Sequence, residues 1–364
     1  IGIIQIKEIK MKITVITVCY NSEKTIEKTI KSVINQDHVD KEYIIIDGAS
    51  TDSTLDIIKK YENYITKWVS EPDHGIFDAM NKGISLATGD IIAFLNSDDW
   101  YMYGALSAVH HEFISKKCDC VCCDNYVIDF EGNQSMHDAS NVCLDDMYKR
   151  MIFYHSAIFT HKKWFEKKNN FNLKYKIAAD YDWMLRVMKR GAKLSYLHLP
   201  VFTFCYGGIS SVNKVACARE AWEIATAHLP LNRADYSRDI DNIYMGIALK
   251  TDDKKWILSK FKKIVKNDLP IILWGAGNRG KQCALWMKKA GIEIMAIVDK
   301  DETKIGNEIS SIFVHSPKFL CNKVCNIMIT PDDFKTEIWN EIQQIQGDFV
   351  IYDLKTLLLK MGKA

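Results

Sequence analysis

The stretch Phe94-Leu95-Asn96-Ser97-Asp98-Asp99-Trp100 decides how this chain is read. It closes a short apolar run, Ile91-Ile92-Ala93-Phe94-Leu95, that follows Gly89-Asp90. An apolar run of that length after a glycine turn predicts a buried strand of a parallel sheet. The run then stops in two adjacent carboxylates. In open α/β sheets, ligands sit beyond the carboxyl ends of the strands. Mg²⁺ or Mn²⁺ is typically held there by one or two carboxylates together with substrate phosphates. Asp98 and Asp99 are therefore candidate metal ligands. The competing reading is a polar turn that caps the next helix.

The residues before this stretch supply the rest of such a sheet. Ile13–Val18 is β-branched throughout and reads as the first strand, ending at Cys19-Tyr20-Asn21-Ser22. A helix follows with Ile26, Ile30 and Val33 on its buried stripe. Tyr43–Ile46 is a second buried strand, ending in Asp47-Gly48-Ala49-Ser50-Thr51-Asp52. A helix through Leu55, Ile58 and Tyr61 leads to a third strand at Ile65–Val69 and a loop, Glu71-Pro72-Asp73-His74-Gly75. Ile76–Ala87 is a helix carrying Asp78, Asn81 and Lys82. Strand–helix alternation at this spacing indicates a doubly wound α/β sheet. Right-handed crossovers bring parallel strand ends to one edge, so Asp47 and Asp98/Asp99 can meet one ligand. For Asp47, a helix cap is the alternative.

Five segments together resemble glycosyltransferase family 2. They are Thr14–Asn21, Ile46–Thr54, Met80-Asn81-Lys82-Gly83, Ala87-Thr88-Gly89-Asp90 and Leu95-Asn96-Ser97-Asp98-Asp99. The resemblance covers about residues 11–215 and rests on motifs in the right order. It implies a GT-A fold and an inverting hexosyltransferase that uses a nucleotide sugar, with UDP the expected nucleotide, and Mn²⁺ or Mg²⁺. It implies a donor side built from Thr17, Cys19, Asp47, Asp78, Lys82, Ser97 and Asp98, with Asp47 at the nucleobase or its ribose. It makes Asp98 the metal ligand, assisted by Asp99. The acidic triplet of the family begins here with Asn96 instead of an acid.

After Trp100 the chain is expected to enter a helix. Cys118, Cys120, Cys122 and Cys123 then crowd one segment. Cys120 and Cys123 have C-x-x-C spacing, yet no second ligand pair follows at finger-like spacing. The alternation of Cys118, Cys120 and Cys122 fits a strand of small apolar residues better. Residues 129–150 read as a polar loop, and Met151–Phe159 as a strand containing His155. The resemblance puts a histidine of this segment near the acceptor; a satisfied, half-buried histidine is the other reading. Ile177–Arg186 starts a helix with Asp180 at or near its N-cap, where the dipole favours an ionised carboxylate. Asp180 matches the second acid of the family's pair before this helix; Ala179 stands at the first. Asp180 is the expected catalytic base, with capping the alternative, and Asp182 and Trp183 are expected to line the acceptor pocket. Phe202–Tyr206 is a strand, and Gly207-Gly208 after it allows a mobile segment near the diphosphate or simply ends the strand.

Residues 216–268 read as an amphipathic helical linker, clearest at Ala216–Ala227 and Trp256–Val265. Its lysines 254, 255, 260, 262 and 263 make either a solvated face or a peripheral membrane contact. A third segment, 269–364, opens with the strand Ile271–Trp274 and Gly275-Ala276-Gly277-Asn278-Arg279-Gly280. A helix and a strand at Ile292–Val298 follow, ending in Asp299. This is the βαβ setting of a dinucleotide fingerprint, with Gly275, Gly277, Gly280 and Asp299 as the candidate residues for NAD(P) or another nucleotide. Only about 65 residues remain, half a dinucleotide fold, so this Rossmann-like module reads as scaffold or regulator before hydride-transfer domain.

Composition sets the outer bounds. The 364 residues are 48% hydrophobic and 26% charged, and 48 basic against 46 acidic side chains leave +2, which argues against a nucleic-acid partner. Eleven cysteines without a secretory signal predict reduced thiols and a cytoplasmic protein, with the inner membrane face as a working site. No apolar run approaches the ~18 residues of a membrane span. The first ten residues, before Met11, are expected to be an upstream extension. The expected activity is sugar transfer to a saccharide or lipid-linked saccharide, as in surface-polysaccharide assembly. Its rivals are a nucleotide-sugar oxidoreductase or epimerase and a non-catalytic nucleotide-binding subunit.

Overall fold

The computed structural model describes residues 11–38, 40–138, 143–165, 169–229, 261–265, 268–331 and 335–354, with single positions 236, 240, 243, 258 and 357. The expected extension over 1–10 and the lysines at 254, 255 and 260 lie outside these residues. The chain divides into two compact units, 1–232 and 233–364.

The first unit begins with β1 (Ile13–Cys19), α1 (Ile26–Ile34), β2 (Lys41–Asp47), α2 (Thr54–Lys60), β3 (Lys67–Ser70), α3 (Ile76–Leu86) and β4 (Ile91–Phe94). All seven residues of β1 are buried, as the β-branched run predicts for a central strand. β2 and β4 flank it in parallel, with Cys19 opposite Asp47 and Ile16 opposite Phe94. Their carboxyl ends thus share one edge. α1 buries Ile26, Ile30 and Val33.

Next come β5 (Trp100–Tyr101), α4 (Ala105–Lys116), β6 (Cys120–Ile128), β7 (Gln134–His137), β8 (Ile158–His161), α5 (Ala179–Lys189), β9 (Leu194–Cys205), α6 (Ile209–Val212) and α7 (Lys214–His228). The sheet runs β3-β2-β1-β4-β8-β6-β9-β5, with β7 paired to β6. β8 is antiparallel to both β4 and β6, so a parallel α/β half continues into a mixed half. Three expectations are corrected here. A two-residue strand paired to β9 precedes the helix after Trp100. The loop expected over 129–150 contains β7 and a 3₁₀ turn at Leu144–Tyr148. His155–Ala157 is a 3₁₀ turn, and the strand starts only at Ile158. Apolar run length alone cannot separate a strand from cavity-lining coil.

Cys118, Cys120, Cys122 and Cys123 are all buried, and burial pushes their thiols up, Cys118 to about 11 and Cys120 to about 12. Protonated thiols packed on a two-sided strand serve as small apolar groups. None of them belongs to a group able to hold a metal among the described residues.

The second unit contains β10 (Ile271–Trp274), α8 (Asn278–Lys289), β11 (Ala296–Val298), β12 (Glu308–Ile309), β13 (Ile312–His315), β14 (Val324–Ile329), α9 (Lys335–Gln343) and β15 (Asp348–Asp353). Its sheet order is β12-β13-β11-β10-β14-β15, and only β12 pairs antiparallel. The strand expected at Ile292–Val298 forms over its last three residues, and the β12–β13 hairpin carried no signal in the reading. No helix of the described residues is long and apolar enough to cross a membrane.

Candidate active site

A cavity of about 970 Å³ opens at the carboxyl ends of β1 and β4. Its walls include Cys19–Thr25 after β1, Asn96-Ser97-Asp98 after β4, the turn at Tyr154-His155, and the lead-in and first turn of α5. The loop after β1 is tied down on both sides. The Ser22 and Ser97 hydroxyls are 2.8 Å apart, the Ser22 amide donates to Thr54 Oγ1 at 2.7 Å, and Asn21 Oδ1 accepts from the Thr51 amide at 2.9 Å.

The acidic pair splits. Asp98 lines the cavity, and burial raises its carboxyl above the ordinary range. Asp99 is fully buried and turns into the fold, where its Oδ1 accepts from the Cys205 amide at 3.0 Å. Burial first, then the charge of Asp98, push the Asp99 carboxyl far up. Asp98 is thus the acid of the pair that faces the space.

Asp47 is also fully buried. Its oxygens accept from the Ser50 amide (2.9 Å), the Ser50 hydroxyl (2.5 Å) and the Ser70 hydroxyl (2.7 Å). It braces the strand end, while Asp52 and Asp73 reach the cavity wall. The only sequence signal for Asp73 was its Pro-Asp-His-Gly loop. Thr17 is buried and accepts from the Tyr43 hydroxyl at 3.2 Å, whereas Cys19, two residues further along β1, lines the cavity. Asp78 and Lys82 brace the 71–75 loop instead of lining the cavity. Asp78 accepts from the His74 amide at 3.0 Å, and Lys82 donates to the Pro72 carbonyl at 2.8 Å beside Glu71 at 2.9 Å.

The cavity also carries a chain of three groups. His155 Nε2 is 3.3 Å from Asn96 Oδ1, and His155 Nδ1 is 3.8 Å from Asp180 Oδ2. Burial lowers the imidazole to about 4, so it is neutral near pH 7. Asp180 lies in the first turn of α5, and Ala178, not Asp180, is the N-cap. Its Oδ1 accepts from the Tyr181 amide at 2.9 Å. Its carboxyl is raised to about 6, by burial first, against the lowering effect of that hydrogen bond. Desolvation outweighs the lowering effect of the backbone hydrogen bonds, yet the carboxyl stays mostly ionised at pH 7. Asp182 and Trp183 point elsewhere: Asp182 to Arg186 and His228, both at 2.9 Å, and Trp183 onto Phe165 at 4.3 Å between rings.

In the second unit the glycines divide their work. Gly275 is set by its φ of +115°, and Gly280 by close backbone packing, since a Cβ there would lie 1.8 Å from the Gly275 carbonyl oxygen. A Cβ on Gly277 would meet nothing within 4 Å. Asp299 Oδ2 accepts from the Ala276 amide at 2.6 Å, Oδ1 from the Asp301 amide at 2.9 Å, and Lys304 lies 3.6 Å away. The carboxylate expected on a ribose is thus engaged by its own loops.

A sheet that turns from parallel to mixed, with a strand-end cavity lined by Asp98 and Asp180, has the architecture of the GT-A class. The model of Glycosyl transferase family 2 matches residues 14–192, and that of the C2185-like N-terminal domain matches residues 267–348. A PGL/p-HBAD biosynthesis glycosyltransferase of Mycobacterium tuberculosis is 31% identical over 50% of this chain and 72% of that protein. The cholesterol galactosyltransferase of Borreliella burgdorferi is 24% identical over 95% of this chain and 97% of that protein. The fold matches that of S. aureus TarS 1–349 in complex with UDP, with a TM-score of 0.55 at 18% identity, over 77% of this chain and 89% of that one. The chain belongs to glycosyl transferase family 2: it is a nucleotide-sugar glycosyltransferase.

Proposed function

We propose that the protein is an inverting hexosyltransferase that takes a UDP-sugar donor, holds a divalent cation on Asp98 and uses Asp180 as base. One observation carries this reading: Asp98 and Asp180 line the same cavity, and each has its carboxyl raised by burial. The donor set fits a hard cation, because Asp98 is a cavity-facing carboxylate among the oxygen groups of Asn96, Ser97 and Ser22. When bound, Mn²⁺ or Mg²⁺ would supply positive charge for a departing diphosphate. Asp180 takes the proton of an acceptor hydroxyl. The acceptor oxygen forms its bond to the anomeric carbon from the opposite face, and the bond to the diphosphate breaks with its electron pair leaving on phosphate. A carboxyl near 6 is roughly nine-tenths ionised at pH 7 and sits close to the working pH, as suits a general base. His155 stays neutral and holds the space between Asn96 and Asp180.

The acceptor is a saccharide or a lipid-linked saccharide. A second reading, a hydroxylated lipid, is favoured by the apolar wall Met151, Ile152, Phe153, Ile177 and Ile209 and by the sterol in the name of the full-length relative. Either lipid acceptor would bring the protein to the cytoplasmic face of a membrane. For the second unit we propose a scaffold or regulatory role, with NAD(P) or another nucleotide as its candidate ligand, and domain bounds of 11–215, 216–268 and 269–364. The test is a screen of nucleotide sugars for thermal stabilisation with and without Mn²⁺, followed by transfer assays on sugar and lipid acceptors. Stabilisation by a UDP-sugar that grows with Mn²⁺ supports the reading; indifference to every nucleotide sugar sinks it.

A further inference from the structure

We propose that α7 is a clamp that sets the place of Asp180, with Glu220 as its positioning residue. The inference rests on the reading of Asp180 as base. It arises from a contact that no motif announces. The Glu220 carboxylate accepts three consecutive amides in the lead-in to α5: Lys176 at 2.9 Å and Ile177 at 2.8 Å and Ala178 at 2.9 Å. The N-cap residue, Ala178, has no side chain able to cap, so a group from elsewhere holds this backbone. Hydrogen bonds from backbone amides to a charged carboxylate are about twice as strong as neutral ones. The far end of α7 is fastened as well, because His228 Nε2 lies 2.9 Å from Asp182 Oδ1 on α5. Two ties therefore fix α7 on the helix that carries Asp180. Cys217 and Ala221, on either side of Glu220 along α7, form part of the cavity wall.

α7 lies beyond residues 14–192, the part of the chain that matches the family model. The placement of the base thus depends on residues outside that match. The groups facing Asp180 are His155 from the turn before β8, and Cys217 and Glu220 from α7. Glu220 is the one whose charge opposes ionisation of Asp180. Its role is thus both to hold the backbone and to keep the carboxyl of Asp180 from becoming too weak a base.

The experiment compares Glu220→Gln, Glu220→Asp and Asp180→Asn in the full chain. It measures transfer rate against pH and UDP affinity with Mn²⁺. Glu220→Gln keeps the size but removes the charge and one acceptor. Its transfer should fall at least tenfold with UDP affinity unchanged, and its acid limb should move to lower pH. Glu220→Asp keeps the charge and retracts it by one methylene, so its transfer should fall with the acid limb in place. Parental transfer and an unmoved acid limb in Glu220→Gln overturn the proposal. So does a parallel loss of UDP affinity and transfer, which marks a folding role alone. If Glu220→Gln does not fold, His228→Ala is measured the same way. Lost transfer with intact UDP affinity supports the clamp, and parental transfer overturns it. Asp180→Asn separates the two readings: if it is active, the base assignment fails; if it is dead while Glu220→Gln is normal, only the clamp fails.

Discussion

Asp99 accepts the amide hydrogen of Cys205 at 3.0 Å, and this contact ties the acidic motif after β4 to the last residue of β9. The Thr29 hydroxyl donates to the Asp99 carbonyl at 2.7 Å, so the turn is held from α1 too. With Asp99 drawn inward, Asp98 is left facing the cavity. Neighbouring acids that look equivalent in sequence are therefore a structural brace and a candidate ligand.

The first prediction follows from that split. Asp98→Asn should abolish any strengthening of UDP binding by Mn²⁺ and should mimic the loss of transfer caused by EDTA. Asp99→Asn should keep the Mn²⁺ effect, because this side chain is buried in the fold and an amide oxygen can still accept from the Cys205 amide. Asp99→Ala should cost about 1–3 kcal/mol of stability by leaving the Cys205 amide unpaired. Calorimetric titration of UDP with and without Mn²⁺ checks the first two variants and chemical denaturation the third; full Mn²⁺ dependence in Asp98→Asn would remove the metal assignment.

Asp180→Asn tests the base. Loss of a general base typically lowers the rate by about 10²–10⁴. UDP affinity with Mn²⁺ should be unchanged, because the donor side of the cavity is built from other elements. Wild-type transfer by this variant would end the assignment. Asp182 would not inherit it, since its carboxylate is taken by Arg186 and His228.

The same carboxyl predicts two pH effects. kcat/KM should lose activity on the acid side with a limb near pH 6, from Asp180; His155, held near 4, should add no step around neutrality. The folded-state carboxyl lies above its unfolded value, so between about pH 4 and 6 the folded protein binds more protons than the unfolded one. Its effect on stability is absent below that window and grows unfavourable as pH rises through it. Asp180→Asn should therefore raise stability at pH 7 by about 3 kcal/mol and by much less at pH 4. Chemical denaturation at both values measures the difference, and equal stability changes at the two would contradict the burial argument.

Cys122 and Cys123 lie fully buried in β6. Serine at either place buries a hydroxyl where a thiol packed, with an expected loss of about 1–3 kcal/mol. Zinc chelators should leave the melting temperature untouched. A chelator-sensitive fold with stoichiometric zinc would restore the metal reading of this cysteine cluster.

In the second unit, Gly280→Ala must displace the Gly275 carbonyl and should disrupt that sheet, whereas Gly277→Ala should fold normally. Sugar transfer is expected to survive in Gly280→Ala and in a soluble chain ending at Asp268. Loss of transfer in either, with UDP binding intact, would make this unit part of the catalytic machinery.

Much of the frame was legible from residues 11–95. β1, β2 and β4 are β-branched or apolar runs ended by turns, and a strand of that kind needs few distant partners to be recognised. α5 was legible for the same reason, from its apolar face. The mixed half of the sheet was less so: β5 and β7 are short, and the partner of β5 is β9, about a hundred residues further along the chain.

The side chains of the site followed the same division. Which residue types stand at the strand ends was set by sequence order, because the right-handed crossover puts those ends on one edge. Which acid faces the cavity was decided by β9, whose amide at Cys205 claims Asp99. How readily the Asp180 carboxyl gives up its proton was decided by burial, with a further contribution from Glu220 on α7. Backbone preference acts over a few residues and can be read in order. Desolvation and charge at one carboxylate depend on what the fold packs around it, and those groups come from positions that no local pattern connects.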